Sequence, residues 1–132
     1  MKTGFTCGAF DLLHAGHIIM LRESSALCDR LLVGLQTDPS IDRPNKNKPI
    51  QSIYERYVQL SALKYVYRII PYDTENSLRD ILTTEPIHVR FLGEDHRDKP
   101  FTGDDLDIKI IYTQRDHSFS SSELRKRIEN SC

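Results

Sequence analysis

Residues 1–35 run MKTGFTCGAFDLLHAGHIIMLRESSALCDRLLVGL, and the order of patterns within them decides the fold. Met1 to Cys7 is a short mixed apolar run that reaches Gly8. A loop follows, Phe10-Asp11-Leu12-Leu13-His14-Ala15-Gly16-His17, after which Ile18, Leu21, Ser25 and Leu27 with Cys28 recur at helical spacing. Asp29 and Arg30 close that helix before the β-rich run Leu31 to Leu35. Strand, helix and strand in this order make a βαβ unit.

The same alternation continues outward. Thr37 to Ser52 carries three prolines, two asparagines and the cations Arg43, Lys46 and Lys48 without periodicity, so it reads as a long loop. Ser52 and Glu55 form a capping-box pattern ahead of a stripe of Tyr57, Leu60, Ala62 and Leu63, predicting a helix that ends near Tyr65. Val66 to Ile70 reads as a third strand, Thr74 to Thr83 as a helix capped by Thr74 or Asp73, and Ile87 to Leu92 as a fourth strand stopped by Gly93. After a polar loop from Glu94 to Asp107, Ile108 to Tyr112 reads as a fifth strand, and Ser120 opens a last helix over Ser121 to Ile128. Strands alternating with helices predict an α/β fold: one domain over residues 1–132, a Rossmann-like doubly wound sheet of about five parallel strands with helices on both faces. Such sheets bind ligands beyond the carboxyl ends of their strands, where the winding reverses. The loops after strands one, two, four and five are therefore expected to meet at one mouth.

Composition narrows the function classes. Eighteen basic against nineteen acidic side chains leave a net charge of -1, which gives no footprint for wrapping nucleic acid or lying on an acidic membrane. The longest apolar stretch, Leu31 to Leu35, is far below the ~18 residues a membrane span needs. Residues 1–8 carry one Lys and alternate Thr with Gly, unlike a secretory signal, and three scattered cysteines, Cys7, Cys28 and Cys132, contain no CxxC. A reducing cytoplasm is the expected location, and an anionic ligand must be held locally.

His14-Ala15-Gly16-His17 is the strongest local signal. Two imidazoles three apart share a face at a helix start, Gly16 permits close backbone approach, and the helix terminus adds free N–H groups and a positive dipole end. That combination suits phosphate oxygens. Asp11 with the two histidines could in principle ligate a transition metal, but HxxH lacks the Glu that a zinc hydrolase uses as general base. A second helix start, Ser120-Ser121-Ser122 behind Arg115, also suits phosphate, as does the basic loop with Lys46 and Lys48. Phosphoryl or nucleotidyl transfer needs such convergent charge neutralisation around its transition state. A dinucleotide-binding dehydrogenase is excluded, since no GxGxxG follows the first strand.

Gly8-Ala9-Phe10-Asp11-Leu12-Leu13-His14-Ala15-Gly16-His17, together with Arg115 and the serines Ser120 to Ser122, resembles the small HxGH cytidylyltransferases, most closely those acting on glycerol 3-phosphate. The resemblance spans nearly the whole chain. It implies that CTP and an alcohol phosphate react to give a CDP-alcohol and pyrophosphate, with Mg²⁺ carried mainly by the substrate phosphates and no assigned protein ligands for it. By the same resemblance His14, His17 and Lys46 are the catalytic residues. Gly8, Ala9, Phe10, Asp11, Gly16, Lys48, Glu94, Asp95, Arg115, Ser120, Ser121 and Ser122 join the histidines around the nucleotide, while Lys46, Lys48 and Arg56 hold the acceptor phosphate. A homodimer is implied as well. Ala9 replaces the usual Thr, Glu94 replaces Asp, and Asp116-His117-Ser118 replaces a Thr-x-Gly stretch. All three changes fall where base and acceptor are read, so adenylyl transfer within the same superfamily stays open. So does a nucleotide-binding domain without turnover, although two histidine donors at one helix start argue for chemistry.

Overall fold

The computed structural model describes residues 1–114 and 117–131. Five strands, β1 (Thr3–Gly8), β2 (Arg30–Gln36), β3 (Arg68–Tyr72), β4 (Val89–Gly93) and β5 (Lys109–Thr113), form one parallel sheet in the order β3-β2-β1-β4-β5. Four helices connect or follow them: α1 (Ala15–Ala26), α2 (Ile53–Ser61), α3 (Glu75–Thr84) and α4 (Ser121–Asn130). The chain winds outward from β1 to β3, then returns through α3 to β4 on the other side of β1. Its winding therefore reverses between β1 and β4, and the crevice of a doubly wound sheet opens there.

Burial follows that order. Leu31 to Gln36 of β2 are all buried, as an inner strand covered on both faces requires, whereas edge strands β3 and β5 are only partly covered. One core face gathers Leu21 of α1, Leu60 of α2, Leu31, Val33, Leu35, Val89 and Phe91. The opposite face gathers Phe5, Leu32 and Tyr72 with Leu78, Ile81 and Leu82 of α3. Alternate residues of β2 and β3 thus feed different cores, and the apolar run on central strand β2 is explained by both.

Element boundaries lie close to the sequence reading. Ser52 and Glu55 do form a reciprocal capping box, and Thr74 and Ser120 cap α3 and α4 by accepting from the Ser77 and Glu123 N–H groups. α2 ends at Ser61 instead of near Tyr65, because Ala62 to Val66 turn the chain into β3. The 94–107 segment differs more from expectation. After a 3-10 turn at Glu94–His96, it packs Leu106 against the second core and so forms a wall of the crevice.

Candidate functional site

The β1–α1 loop is held in a conformation the chain would not choose alone. Phe10 and Leu12 have φ of 50° and 52°, left-handed values that cost a non-glycine residue ~1–3 kcal/mol unless the surroundings enforce them. Here the Phe10 ring is buried in the first core, and the Leu12 N–H donates to Gln51 Oε1 at 2.8 Å. Asp11 between them is buried, and its carboxylate accepts from the N–H groups of Ile50 and Gln51, each at 2.9 Å, and from Arg125 of α4 at 2.9 Å. The Ser121 hydroxyl donates to the Asp11 carbonyl at 2.8 Å. One aspartate thereby joins the β1–α1 loop, the end of the basic loop and α4.

The two histidines cap α1 reciprocally. The Gly16 N–H donates to His14 Nδ1 at 3.0 Å, the His14 N–H donates to His17 Nδ1 at 3.2 Å, and the rings stack with centroids 3.8 Å apart. A nitrogen that accepts a hydrogen bond carries no proton, so these contacts place each ring's proton on Nε2. Burial first, and then the adjacent His14 ring, hold the His17 pKa down at about 4, against a weaker upward pull from Asp11. His17 is consequently neutral at pH 7, an Nε2–H donor at a helix amino terminus. Gly16 is needed for space: a Cβ there would lie 2.8 Å from His14 Cε1 and 2.9 Å from His117 Cε1.

Two cavities flank this pair. The larger, about 900 Å³, is lined by Gly8, Ala9, Phe10, Asp11 and His17 and reaches Lys46, Arg43, Ser121 and Arg125. The smaller, about 430 Å³, lies between the starts of α1 and α4 and the ends of β4 and β5, with His14, Gly16, His17, Glu94, Asp95, Ser120 and Ser121 on its walls. His17 and Ser121 face both. The structure thus brings together most residues named from the sequence, including segments more than a hundred positions apart.

The structure places several of the named residues otherwise than expected. Arg56, expected on the acceptor phosphate, is only 2% exposed and donates to the backbone carbonyls of Gln51, Ser52, Ala9, Gln36 and Thr37. It pins the loops after β1 and β2 and faces neither cavity. The Asp11 carboxylate is likewise engaged by the protein, through the Ile50 and Gln51 N–H groups and Arg125, while the residue lines the larger cavity. Lys48 is exposed and lines neither cavity, and Ser122 is exposed on the outer side of α4's first turn. Glu94 reaches the smaller cavity but pairs with Arg97 at 2.5 Å, which lowers its pKa. Arg115 and Asp116 lie outside the described residues.

Sequence reasoning missed Gln36 and Arg90, both buried and both on the larger cavity. Their signal is a polar residue inside an apolar central strand: Arg90 interrupts Val89-Arg90-Phe91-Leu92, and Gln36 ends Leu31 to Leu35. A charge placed there costs heavily unless something uses it.

A family model described as cytidylyltransferase-like matches residues 5–127. The chain is 34% identical over 133 residues to the bifunctional protein HldE of Caulobacter sp. (strain K31), covering 97% of this chain and 27% of that protein. It is 32% identical over 130 residues to the HldE of Campylobacter jejuni subsp. jejuni serotype O:6, covering 98% and 28%. The chain therefore spans only about a quarter of the length of these curated relatives. Among solved structures, the lipopolysaccharide core biosynthesis protein from Thermoplasma volcanium GSS1 superposes with a TM-score of 0.62 at 27% identity, covering 99% of this chain and 88% of that one. NadR protein in complex with NAD and AMP-PNP superposes with a TM-score of 0.57 at 15% identity over 98% and 42% of the respective chains, a likeness of fold.

Proposed function

The chain belongs to the cytidylyltransferase-like family, and on that premise we propose that it transfers a nucleoside monophosphate from a nucleoside triphosphate to a phosphorylated alcohol. The triphosphate is CTP and the acceptor resembles glycerol 3-phosphate in this reading. An acceptor phosphate oxygen attacks the α-phosphorus, the bond from that phosphorus to the bridging oxygen breaks, and pyrophosphate leaves with the electron pair. The observation that carries the proposal is that His17, neutral and with its proton on Nε2, stands on the wall shared by two cavities. One donor can then serve the phosphate at which two substrates meet. Held neutral, it takes up no second proton near pH 7 and acts by donating to a phosphate oxygen on which charge builds.

The smaller cavity, between the two helix amino termini, suits the nucleotide, with Ser120, Ser121, Glu94 and Asp95 around it. The larger suits the acceptor, whose phosphate meets Lys46 at the rim. Mg²⁺ accompanies the triphosphate as part of the substrate. Asp11 is already bound by two N–H groups and Arg125, and Glu94 by Arg97, so neither offers a free carboxylate to a resident metal. No step is assigned to a metal held by the protein.

Adenylyl transfer is the second reading, favoured by Glu94 standing in place of Asp on the smaller cavity, beside the nucleotide. The purified protein with Mg²⁺, each of the four triphosphates and a panel of phosphorylated alcohols separates the two by pyrophosphate release. CTP is expected to support the reaction, turnover with ATP alone selects the second reading, and no pyrophosphate with any pair sinks both.

A further inference from the structure

The wall of the larger cavity contains donors that no catalytic step above uses. Arg90 is 3% exposed and Gln36 is 2% exposed, yet Arg90 Nε and Gln36 Nε2 find no hydrogen-bond partner among the described residues. Both residues line the cavity. Arg90 is level with Phe5 in the β1–β4 register, three residues before the end of β1, so its Cα sits ~10 Å below the mouth at the usual rise per residue.

The surroundings hold this guanidinium without neutralising it. Its Nη1 donates to the Thr102 carbonyl, its Nη2 lies 3.9 Å from Cys7 Sγ, and it stacks 5.3 Å from the Phe101 ring. Among the described residues no carboxylate pairs with it. The wall carrying Phe101 and Thr102 closes on it because Gly103 has a φ of 88° and no Cβ, which would otherwise lie 2.7 Å from Leu82 Cδ1. Thr102 Oγ1 in turn donates to Glu75 Oε2 at 3.0 Å, fixing the wall to α3. A buried, unpaired cation and a buried, unpaired amide are costly in a folded chain unless a ligand supplies oxygen atoms to both.

We propose that Arg90 and Gln36 are specificity residues that read the hydroxyl oxygens of a polyhydroxylated acceptor, a polyol or sugar phosphate, while its phosphate stays at the mouth with Lys46 and His17. The proposal rests on the nucleotidyl transfer given above and adds to it the residues that select the acceptor. An unpaired guanidinium N–H below the mouth and an unpaired amide N–H at the end of β2, both on the wall of one cavity, match hydroxyl or carbonyl oxygens. The same guanidinium repels a cationic head group, so phosphocholine and phosphoethanolamine are rejected by charge as well as by lack of oxygen atoms.

Titration calorimetry of the full chain with glycerol 3-phosphate, ribose 5-phosphate, mannose 1-phosphate, phosphocholine and phosphoethanolamine tests this, without turnover as the readout. At least one polyhydroxylated phosphate is expected to bind about tenfold or more tightly than either cationic one. Arg90→Lys, which keeps the charge but loses the Nε–H and the fork, should remove most of that preference, as should Gln36→Leu, with CTP affinity unchanged in both. Circular dichroism first establishes that each variant is folded; if Arg90→Lys is not, Gln36→Leu decides. Equal or tighter binding of the cationic phosphates, no binding of any polyhydroxylated one, or an undiminished preference in the folded variants overturns the proposal. Pyrophosphate release with phosphocholine as good as with the sugars would overturn it while leaving nucleotidyl transfer standing. Selective sugar-phosphate binding without pyrophosphate from any triphosphate would leave the subsite standing and remove the reaction.

Discussion

His17 carries both a structural and a chemical task, and the two can be separated. His17→Asn keeps a side chain that can accept from the His14 N–H but moves the donor that faces the cavities. Loss of one preorganised donor to a charged transition state costs ~10²–10³ in rate, so kcat is expected to fall by that much with little change in KM. Near-normal turnover of a folded variant in a pyrophosphate-release assay would contradict the assignment. The pH dependence follows from the direction of the shift. The folded-state pKa of about 4 lies below the ordinary 6.5, so between these values the unfolded chain binds the proton that the folded chain excludes. Stability from this group is complete above pH 6.5 and is lost as pH falls towards 4, by an amount on the order of 3 kcal/mol. Denaturant midpoints of wild type and His17→Asn measured from pH 7 to pH 4 should therefore converge at the acid end. Parallel curves would show that His17 is not held neutral by burial.

At the scale of elements, the long loop after β2 divides into anchored and free parts. Its start is held by Arg56 on the Thr37 carbonyl and by burial of Pro39, and its end by Asp11 on the Ile50 and Gln51 N–H groups. Residues 41–48 between them are all exposed. Ordering that stretch costs ~1–2 kcal/mol per residue of backbone entropy, which neutralising a triphosphate and an acceptor phosphate can offset. Hydrogen exchange is expected to slow in residues 41–48 on adding CTP and Mg²⁺ and to change little at 50–52. Equal exchange in 41–48 with and without ligand would mean that the loop does not close. Lys46 lines the larger cavity and Lys48 does not, so Lys46→Ala should raise KM for the acceptor several-fold and Lys48→Ala less. Steady-state kinetics that rank the two the other way would reverse the assignment. This division was not legible in the sequence. Composition marks the loop as irregular and cationic, but its tethers are one aspartate 39 positions upstream of Ile50 and one arginine on the next helix. Arg56 was misplaced for the same reason: an arginine at a helix start near a basic loop reads as a phosphate ligand, and only folding shows five carbonyl oxygens converging on it.

Over the whole molecule, the alternation of strands and helices was readable because each element carries its own cap, stripe or turn. The convergence of β1, β4 and two helix starts followed from the rule for parallel sheets. What local pattern could not supply was the depth of the crevice, since Arg90 becomes informative only when β4 lies beside β1 with α3 and the 94–107 wall over it. Assembly belongs to this scale too. β3 and β5 are the sheet's two edges, yet β3 carries Pro71, which lacks an N–H, and β5 begins with exposed Lys109, both features that discourage strand addition. α2, by contrast, exposes Tyr54, Tyr57 and Val58 at i, i+3 and i+4, with Tyr54 75% accessible. A second copy of the chain meeting this face by helix packing is the form the expected homodimer would take, leaving both sheet edges and the crevice open. Light scattering at micromolar concentration should then give about twice the 15.3 kDa of one chain, and Tyr54→Glu should return the mass to that of the monomer. A wild-type mass near 15.3 kDa would show that the chain acts alone, and a dimer that survives Tyr54→Glu would move the contact away from α2.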